Sequence, residues 1–240
     1  MNKSHTLKNI YYIATGLFRY NLKIIFANKF PYFLLSAIII FVFVTALNIF
    51  NSSTAPTDAT GYWLILIPGI LLVFYPTTFG IQNDVDTRMI EILFGIPNYR
   101  YKVWMVRLLL IFFITFINVL VLTEVFSLVL KRIPVFMMGI QLMFPIIFIG
   151  SLAFLFSTIV RNGNGTAVVM VITGMVFWIA KGQIGNSEWN LFLNPYATPT
   201  DMNEAVWAEI IFNNRLYLFI GTAISILYGL LNLQNREKLV

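Results

Sequence analysis

The sequence contains no cysteine and a single histidine, and each shortage excludes a class of site. Without cysteine, the chain cannot form disulfide bonds or thiolate metal sites. With His5 as the only histidine, HExxH-type metal sites and histidine-based catalytic triads are excluded. The phosphate-binding pattern G-x-x-x-x-G-K-[ST] is also missing, so we expect no nucleotide at a P-loop of this chain. We therefore expect a chain that is not itself an enzyme and carries no catalytic residues, metal site or bound cofactor.

Charged residues are scarce as well. They make up 11% of the 240 residues, whereas 59% are hydrophobic. A soluble globular domain carries about a quarter charged residues, so the composition excludes one. The length accommodates a single membrane domain but no large soluble catalytic domain beside it. We expect residues 1–240 to form one transmembrane domain.

Six apolar segments are long enough to cross a bilayer, because a spanning helix needs about 20 predominantly apolar residues. They are 31–50, 62–82, 103–130, 133–160, 164–183 and 214–233. Tyrosine and tryptophan lie near several of their ends, as interfacial anchors do. The sequence therefore predicts an all-α polytopic membrane protein.

The basic residues predict the orientation. With six spans, both termini and the 82–107 loop share a side that carries 12 Lys and Arg, and the other side carries four. The positive-inside rule then places both termini in the cytoplasm of a multi-pass protein of the plasma or inner membrane. Topology and anionic headgroups account for the basic charge, so the bilayer is an expected partner and nucleic acid is not.

Two segments outside the spans carry their own patterns. In residues 1–30, basic and polar side chains recur at helical spacing beside an apolar stripe. This pattern predicts an amphipathic helix in the membrane interface, the alternative being an ordinary helix with a solvated charged face. In residues 184–213, Asp201 and Glu204 resemble a capping box that opens a short helix ending at Phe212. We expect 184–213 to be an extracellular loop or re-entrant segment that dips into the outer leaflet or packs over the spans.

Two ionisable residues fall inside predicted spans, Glu124 and Lys181. A charge within a span is costly and by default suggests a function. We expect the two to form an intramembrane charge pair near the outer surface. The alternatives are a pair between Glu124 and Lys131 or Arg132, a place in a substrate path, and proton coupling.

Residues 84–107, DVDTRMIEILFGIPNYRYKVWMVR, form the most charged stretch of the chain. If the stretch is helical, Leu93 and Phe94 belong to one apolar face, and Gly95 with Pro97 ends the helix. A charged amphipathic segment between two spans is suited to docking a soluble partner.

This stretch resembles the signature of type-2 ABC transporter permeases. That signature leads from an acid-rich run through a glutamate to a proline, an arginine and a basic residue that opens the next span. Glu91 lies six residues before Pro97, Arg100 follows Pro97 by three and Arg107 by ten, whereas Arg88-Met89 replaces the usual Gly-Thr. The resemblance implies that 84–98 is a cytoplasmic coupling helix seated in a separate ATPase. The contacts that it assigns to the partner come from Asp84, Asp86, Glu91, Leu93, Phe94, Pro97 and Arg100.

The resemblance also implies the assembly. Two copies of an ABC ATPase subunit would bind ATP and magnesium, and a second permease, identical or different, would complete a dimer. The fold would be that of type V exporters, and the membrane would be bacterial. The substrate would be a lipid-like, peptide or drug-like compound. The path would follow the dimer interface built from spans one, two and five. Its candidate lining residues are Thr45, Asn48, Thr77, Thr78 and Thr173, although hydroxyls in spans commonly serve helix packing instead.

The residues are also compatible with two other kinds of membrane protein. One is an integral membrane protein unrelated to ABC transporters, such as a lipid-modifying enzyme or an assembly factor. The other is a proton-coupled secondary transporter, which the near absence of intramembrane carboxylates disfavours.

Overall fold

The structure, a computed structural model, describes residues 30–51, 55–86 and 100–233, and the regular elements of these residues are all helical. A π-helical segment, Arg100–Met105, runs directly into α3. All six long helices are apolar enough to cross a membrane, which confirms the prediction of an all-helical multi-pass membrane protein. They are α1 Phe30–Asn51, α2 Asp58–Asp86, α3 Val106–Val129, α4 Val135–Val160, α5 Gly163–Ile184 and α6 Glu204–Asn232.

Contacts between distant residues show that successive helices run in alternating directions. Lys131, just after α3, forms an ion pair with Asp58 at the start of α2. At the opposite end, Asn232 of α6 donates to the carbonyl of Thr158 in α4 over 2.8 Å. We refer to the end with the loops 55–57, 130–134 and 185–203 as the Arg215 end, and to the other as the Asp84 end.

Helices α2 and α4 form the centre of the bundle, and glycines allow them to approach closely. A methyl group added at Gly69 would lie 2.5 Å from the side chain of Ile146, and one added at Gly150 would lie 2.6 Å from Val73. Small residues at such crossings let membrane helices pack through van der Waals contact. Helix α2 accommodates Pro68 and Pro76, and α4 accommodates Pro145. Membrane helices commonly tolerate proline in this way.

The peripheral helices α1 and α5 are packed very differently. Only 17% of the apolar window of α1 and 6% of that of α5 is buried. Both helices are apolar on every side, so their outer surfaces require an apolar environment. In a membrane, lipid or a second protein chain supplies it.

Helix α6 starts much earlier than the predicted span at 214–233. It begins at Glu204, and the side chain that caps it is that of Asn203, which accepts from the amide of Ala205, rather than Asp201. Its 29 residues extend about 43 Å, which exceeds a hydrocarbon core of about 30 Å. The expected short helix ending at Phe212 is therefore corrected to the first turns of α6. The helix continues because no proline or glycine occurs in the eight residues after Phe212 and because the polar residues there find partners within the protein.

Two predicted segments fall wholly or largely outside the described residues. The amphipathic helix at 1–30 is one, and the coupling helix at 84–98 is the other. Residues 84–86 of the latter form the end of α2.

Candidate functional site: the two ends of the bundle

A buried ion pair closes the Asp84 end. The Nη1 atom of Arg107, in the first turn of α3, lies 2.8 Å from Oδ2 of Asp84 in the last turn of α2, and the two side chains are only 8% and 5% exposed. Removing one partner of a buried pair leaves an uncompensated charge and costs about 3–5 kcal/mol. The pair therefore fixes the end of α2 against the start of α3, on both sides of the charged segment that separates them.

Trp104 extends this contact to α4. Its ring lies 4.5 Å from the guanidinium carbon of Arg107 and 6.0 Å from the ring of Phe154 in α4. Trp104 is buried and belongs to the π-helical segment, a local geometry that is frequent at functional sites. The π-helical segment that leads into α3 is therefore held against α4 directly, and against α2 through Arg107.

The structure changes the expected role of Asp84. We predicted that Asp84 would contact a partner, but its carboxylate is buried and paired within the chain, so it positions α2 instead. Asp86, two residues later, is exposed and remains accessible. Arg100 opens the π-helical segment. The remaining predicted contacts, Glu91, Leu93, Phe94 and Pro97, lie outside the described residues.

The candidate threonines do not converge on one path. Thr77 donates to the carbonyl of Val73 over 2.7 Å, and Thr173 donates to that of Val169 over 2.8 Å. Bonds of this kind, to the carbonyl four residues earlier, satisfy a hydroxyl inside its own helix. They favour the packing role over the path-lining role.

In the part of the chain that the structure describes, the other two candidate threonines, Thr45 and Thr78, do not line a shared cavity with Thr77 and Thr173. Thr78 is buried and Thr45 half-buried, and neither hydroxyl has a hydrogen-bond partner among the described residues. Thr173 lines a small cavity of about 130 Å³ between α2, α4 and α5.

A more open site lies at the Arg215 end, between α1, α2, α5 and the loop 185–203. Two adjoining cavities of about 270 and 240 Å³ share Trp63, Asn194 and Ala197. Asn48 lines the first and Lys181 the second, so the structure brings these two predicted residues to one place. We name this site the Trp63 pocket.

Lys181 is held there by aromatic rings. Its ammonium lies 3.7 Å from the ring centroid of Trp63 and 5.0 Å from that of Trp178. Attraction between a cation and an aromatic face is strongest with tryptophan. The pocket therefore combines a positive charge, side-chain amides and an indole surface.

The expected charge pair between Glu124 and Lys181 does not form. Lys181 faces the tryptophans, Lys131 pairs with Asp58, and Glu124 is exposed and has no ion pair among the described residues. Helices α3 and α5 each pack against the central α2–α4 pair. Because α2 and α4 rather than each other are their main neighbours, the two side chains do not meet.

A buried polar cluster surrounds Arg215, which is only 6% exposed, and none of the sequence-based predictions includes it. The guanidinium donates to Gln141 Oε1 over 2.9 Å, to Asn214 Oδ1 over 2.7 Å, to the Leu193 carbonyl over 3.3 Å and to the Tyr62 hydroxyl over 3.5 Å. An arginine two positions inside a predicted span, preceded by two asparagines, was the available signal. In the positive-inside comparison, Arg215 is one of the four basic residues on the outer side and has no other expected role.

The same cluster ties down the loop 185–203. Asn214 donates to the carbonyls of Glu188 and Asn190 over 2.7 and 2.9 Å, and Asn194 donates to that of Ala59 over 2.9 Å. The loop buries Leu191, Phe192 and Leu193. It therefore packs over the helices, which is one of the two expected arrangements.

The chain was compared with family models, curated proteins and solved structures. No family model, no curated protein and no solved structure matches the chain.

Proposed function

We propose that the chain is the membrane-spanning permease subunit of a type-2 ABC transporter, driven by a separate ATPase that docks on residues 84–98. The observation that carries this proposal is the buried Asp84–Arg107 pair. It joins the two helix ends between which the charged, amphipathic segment lies. A partner that pushes on this segment moves α2 and α3 together.

Helix α2 can carry that movement across the membrane. Asp84 and Trp63 lie 21 positions apart on this helix, about 31 Å at 1.5 Å per residue, which is close to the thickness of the hydrocarbon core. Helix α2 also packs against α1, α3, α4 and α5. Displacement of its Asp84 end therefore alters the Trp63 pocket at the other end.

A second permease is the partner that fits the remaining surface. The Trp63 pocket lies beside α1 and α5, the two helices that the chain leaves largely uncovered. A second copy, or a related chain, packed on these helices would enclose the pocket in a path. ATP and magnesium would bind to two ATPase subunits on the cytoplasmic side.

The Trp63 pocket also supports a substrate class. Asn48 and Asn194 provide amides, Lys181 a cation and Trp63 an apolar face. A molecule with both polar and apolar parts matches this lining. Export of a lipid-like, peptide or drug-like compound follows from the proposal.

The test uses the full chain, purified in mild detergent together with the ATPase that accompanies it. Leu93→Asp and Phe94→Asp place a charge on the expected docking face. Burial of one large apolar side chain contributes about 1.5–3 kcal/mol, so either change should weaken docking roughly ten- to hundredfold. Copurification of the ATPase and vanadate-sensitive ATP hydrolysis are the two measurements.

Leu128→Asp is the matched control, because Leu128 is an exposed apolar residue near the opposite end of α3. It should leave docking intact. If both Asp variants at 93 and 94 retain the ATPase and its activity, the docking segment lies elsewhere and the proposal fails. A chain that functions without any ATPase would return the assignment to a lipid-modifying enzyme, an assembly factor or a secondary transporter.

A further inference from the structure

We propose that the groove between α3, α4 and α6 binds one anionic phospholipid, with its phosphate at Arg215 and an acyl chain along the helices. The site is separate from the Trp63 pocket. It does not depend on the proposed ATPase.

Two cavities make up this groove. Their volumes are about 410 and 470 Å³, each within the range of ligand sites. They share Ile140, Phe144 and Phe219, so one continues into the other. The first extends to Thr222 along an almost entirely apolar wall, and the second reaches Arg215. One end of the groove therefore suits a hydrocarbon chain and the other a charged group.

Arg215 retains a positive charge that the described residues do not balance. Its four hydrogen-bond acceptors are an amide oxygen from each of two side chains, a hydroxyl and a backbone carbonyl, all of them neutral. Among the described residues, no carboxylate lies within 4.0 Å of the guanidinium. The carboxylate of Glu188 instead accepts from the side chain of Asn213 over 3.2 Å.

A buried cation without a counter-ion is unfavourable, so an anion bound beside it is stabilising. Four of the five N–H groups of the guanidinium already donate within the protein, so one N–H of Nη1 remains for a phosphate oxygen, and the attraction between the opposite charges adds to that bond. Phe144, whose ring centroid lies 5.6 Å from the guanidinium carbon, is also part of the groove wall. The charge is thus held at the groove rather than turned away from it.

The length of α6 places this charge at a suitable depth. Seventeen positions separate Arg215 from Asn232 at the end of the helix, a rise of about 26 Å. A hydrocarbon core is about 30 Å thick, so Arg215 lies near the level of the headgroups when the rest of α6 spans the core. The bilayer supplies a molecule with an anionic group at this level and a chain below it.

Lipid binding is tested with the delipidated full chain in detergent. The probes are phosphatidylglycerol, phosphatidylcholine with the same acyl chains, and soluble glycerol phosphate. We expect native mass spectrometry to show one phosphatidylglycerol retained, with a higher melting temperature than phosphatidylcholine produces. Glycerol phosphate should bind at least about tenfold more weakly, because it buries no chain in the groove.

Two variants separate the headgroup from the chain. Arg215→Gln should lower the affinity for phosphatidylglycerol about tenfold or more and remove the preference over phosphatidylcholine. Thr222→Phe fills the apolar part of the groove without touching Arg215, and should also weaken binding about tenfold. It keeps the test available if Arg215→Gln does not fold. Ile224→Phe is the control, since Ile224 is exposed on the same helix outside the groove.

Three results would overturn the proposal. They are equal retention of the two phospholipids by the unaltered chain, binding of phosphatidylglycerol unchanged by Thr222→Phe, and stabilisation by glycerol phosphate equal to that by phosphatidylglycerol. The last result would leave an anion site without a lipid. None of these measurements involves an ATPase, so the two proposals fail independently.

Discussion

The two ends of the bundle each bury an arginine, but they balance its charge in different ways. At the Asp84 end, Arg107 faces one carboxylate at 2.8 Å. At the Arg215 end, the guanidinium is surrounded by neutral oxygen atoms. A closed ion pair has no net charge to offer a ligand, whereas a cation held by neutral acceptors still attracts an anion. The comparison indicates that the first arginine holds helices together and that the second is suited to binding.

The ends also differ in what they join. The Asp84–Arg107 pair connects two helices that are consecutive along the chain. Arg215 and Asn214 of α6 instead connect α2, α4 and the loop 185–203. A joint between neighbouring helices can move as a unit, while a joint among several elements resists displacement. Under the proposed docking of an ATPase on residues 84–98, we therefore expect the Asp84 end to move first and the Arg215 cluster to be the more rigid end.

The largest expected difference between the two ends is the side of the membrane on which each lies. Because the chain has no cysteine of its own, a single introduced cysteine is the only site that a maleimide can label. Asn186 in the loop 185–203 and Asn164 in the first turn of α5 are both exposed, at opposite ends. A membrane-impermeant maleimide should label Asn186→Cys in intact cells, and Asn164→Cys only after permeabilisation. The reverse pattern would invert the protein and place residues 84–98, the proposed docking segment, outside the cell.

The second prediction concerns the closed ion pair. Asp84→Ala leaves Arg107 buried without a counter-charge and should lower the free energy of unfolding by about 3–5 kcal/mol. Replacing both residues with leucine should restore most of the loss. Denaturation in detergent measures both effects. Asp86→Ala, at an exposed position of the same helix end, should change stability by no more than about 0.5 kcal/mol. Equal losses at positions 84 and 86 would contradict the burial of the pair.

The third prediction applies the same test to Arg215. Arg215→Met removes the charge and unpairs four neutral acceptors. Each acceptor that finds no other donor costs about 1–3 kcal/mol, and because no carboxylate is left unpaired, the loss should not change with pH. It is measured by the same denaturation, with lipid removed. A loss that becomes smaller as the pH falls would show that Arg215 has a carboxylate counter-charge and that the two ends are alike.

The smallest effect is expected for the second ion pair, between Lys131 and Asp58. Their side chains are 44% and 35% exposed, so Lys131→Met should cost at most about 1 kcal/mol. Added salt should reduce the difference further, because exposed charges are screened. A loss comparable to that of the buried pair would mean that lipid or another chain covers this surface.

The sequence by itself determined the number and approximate bounds of the spans. Whether a segment can cross a bilayer depends on its own length and composition, and both are local properties. For this reason the first predicted span, 31–50, nearly coincides with α1, Phe30–Asn51. The prediction was least accurate at α6, where the polar run 213–215 looked like an end.

Only the tertiary structure decided which polar groups meet. Asp84 and Arg107 are 23 residues apart. Both belong to the stretch that resembles the permease signature, but nothing in that stretch indicates that they form an ion pair. Lys181 was expected beside Glu124 but lies against Trp63. The reason is physical: the partner of a side chain depends on the rotation of its helix and on which helices are its neighbours. Neither is encoded in the apolar length of one segment. Arg215 could continue a helix instead of ending one because α2, α4 and the loop 185–203 supplied acceptors from distant parts of the chain.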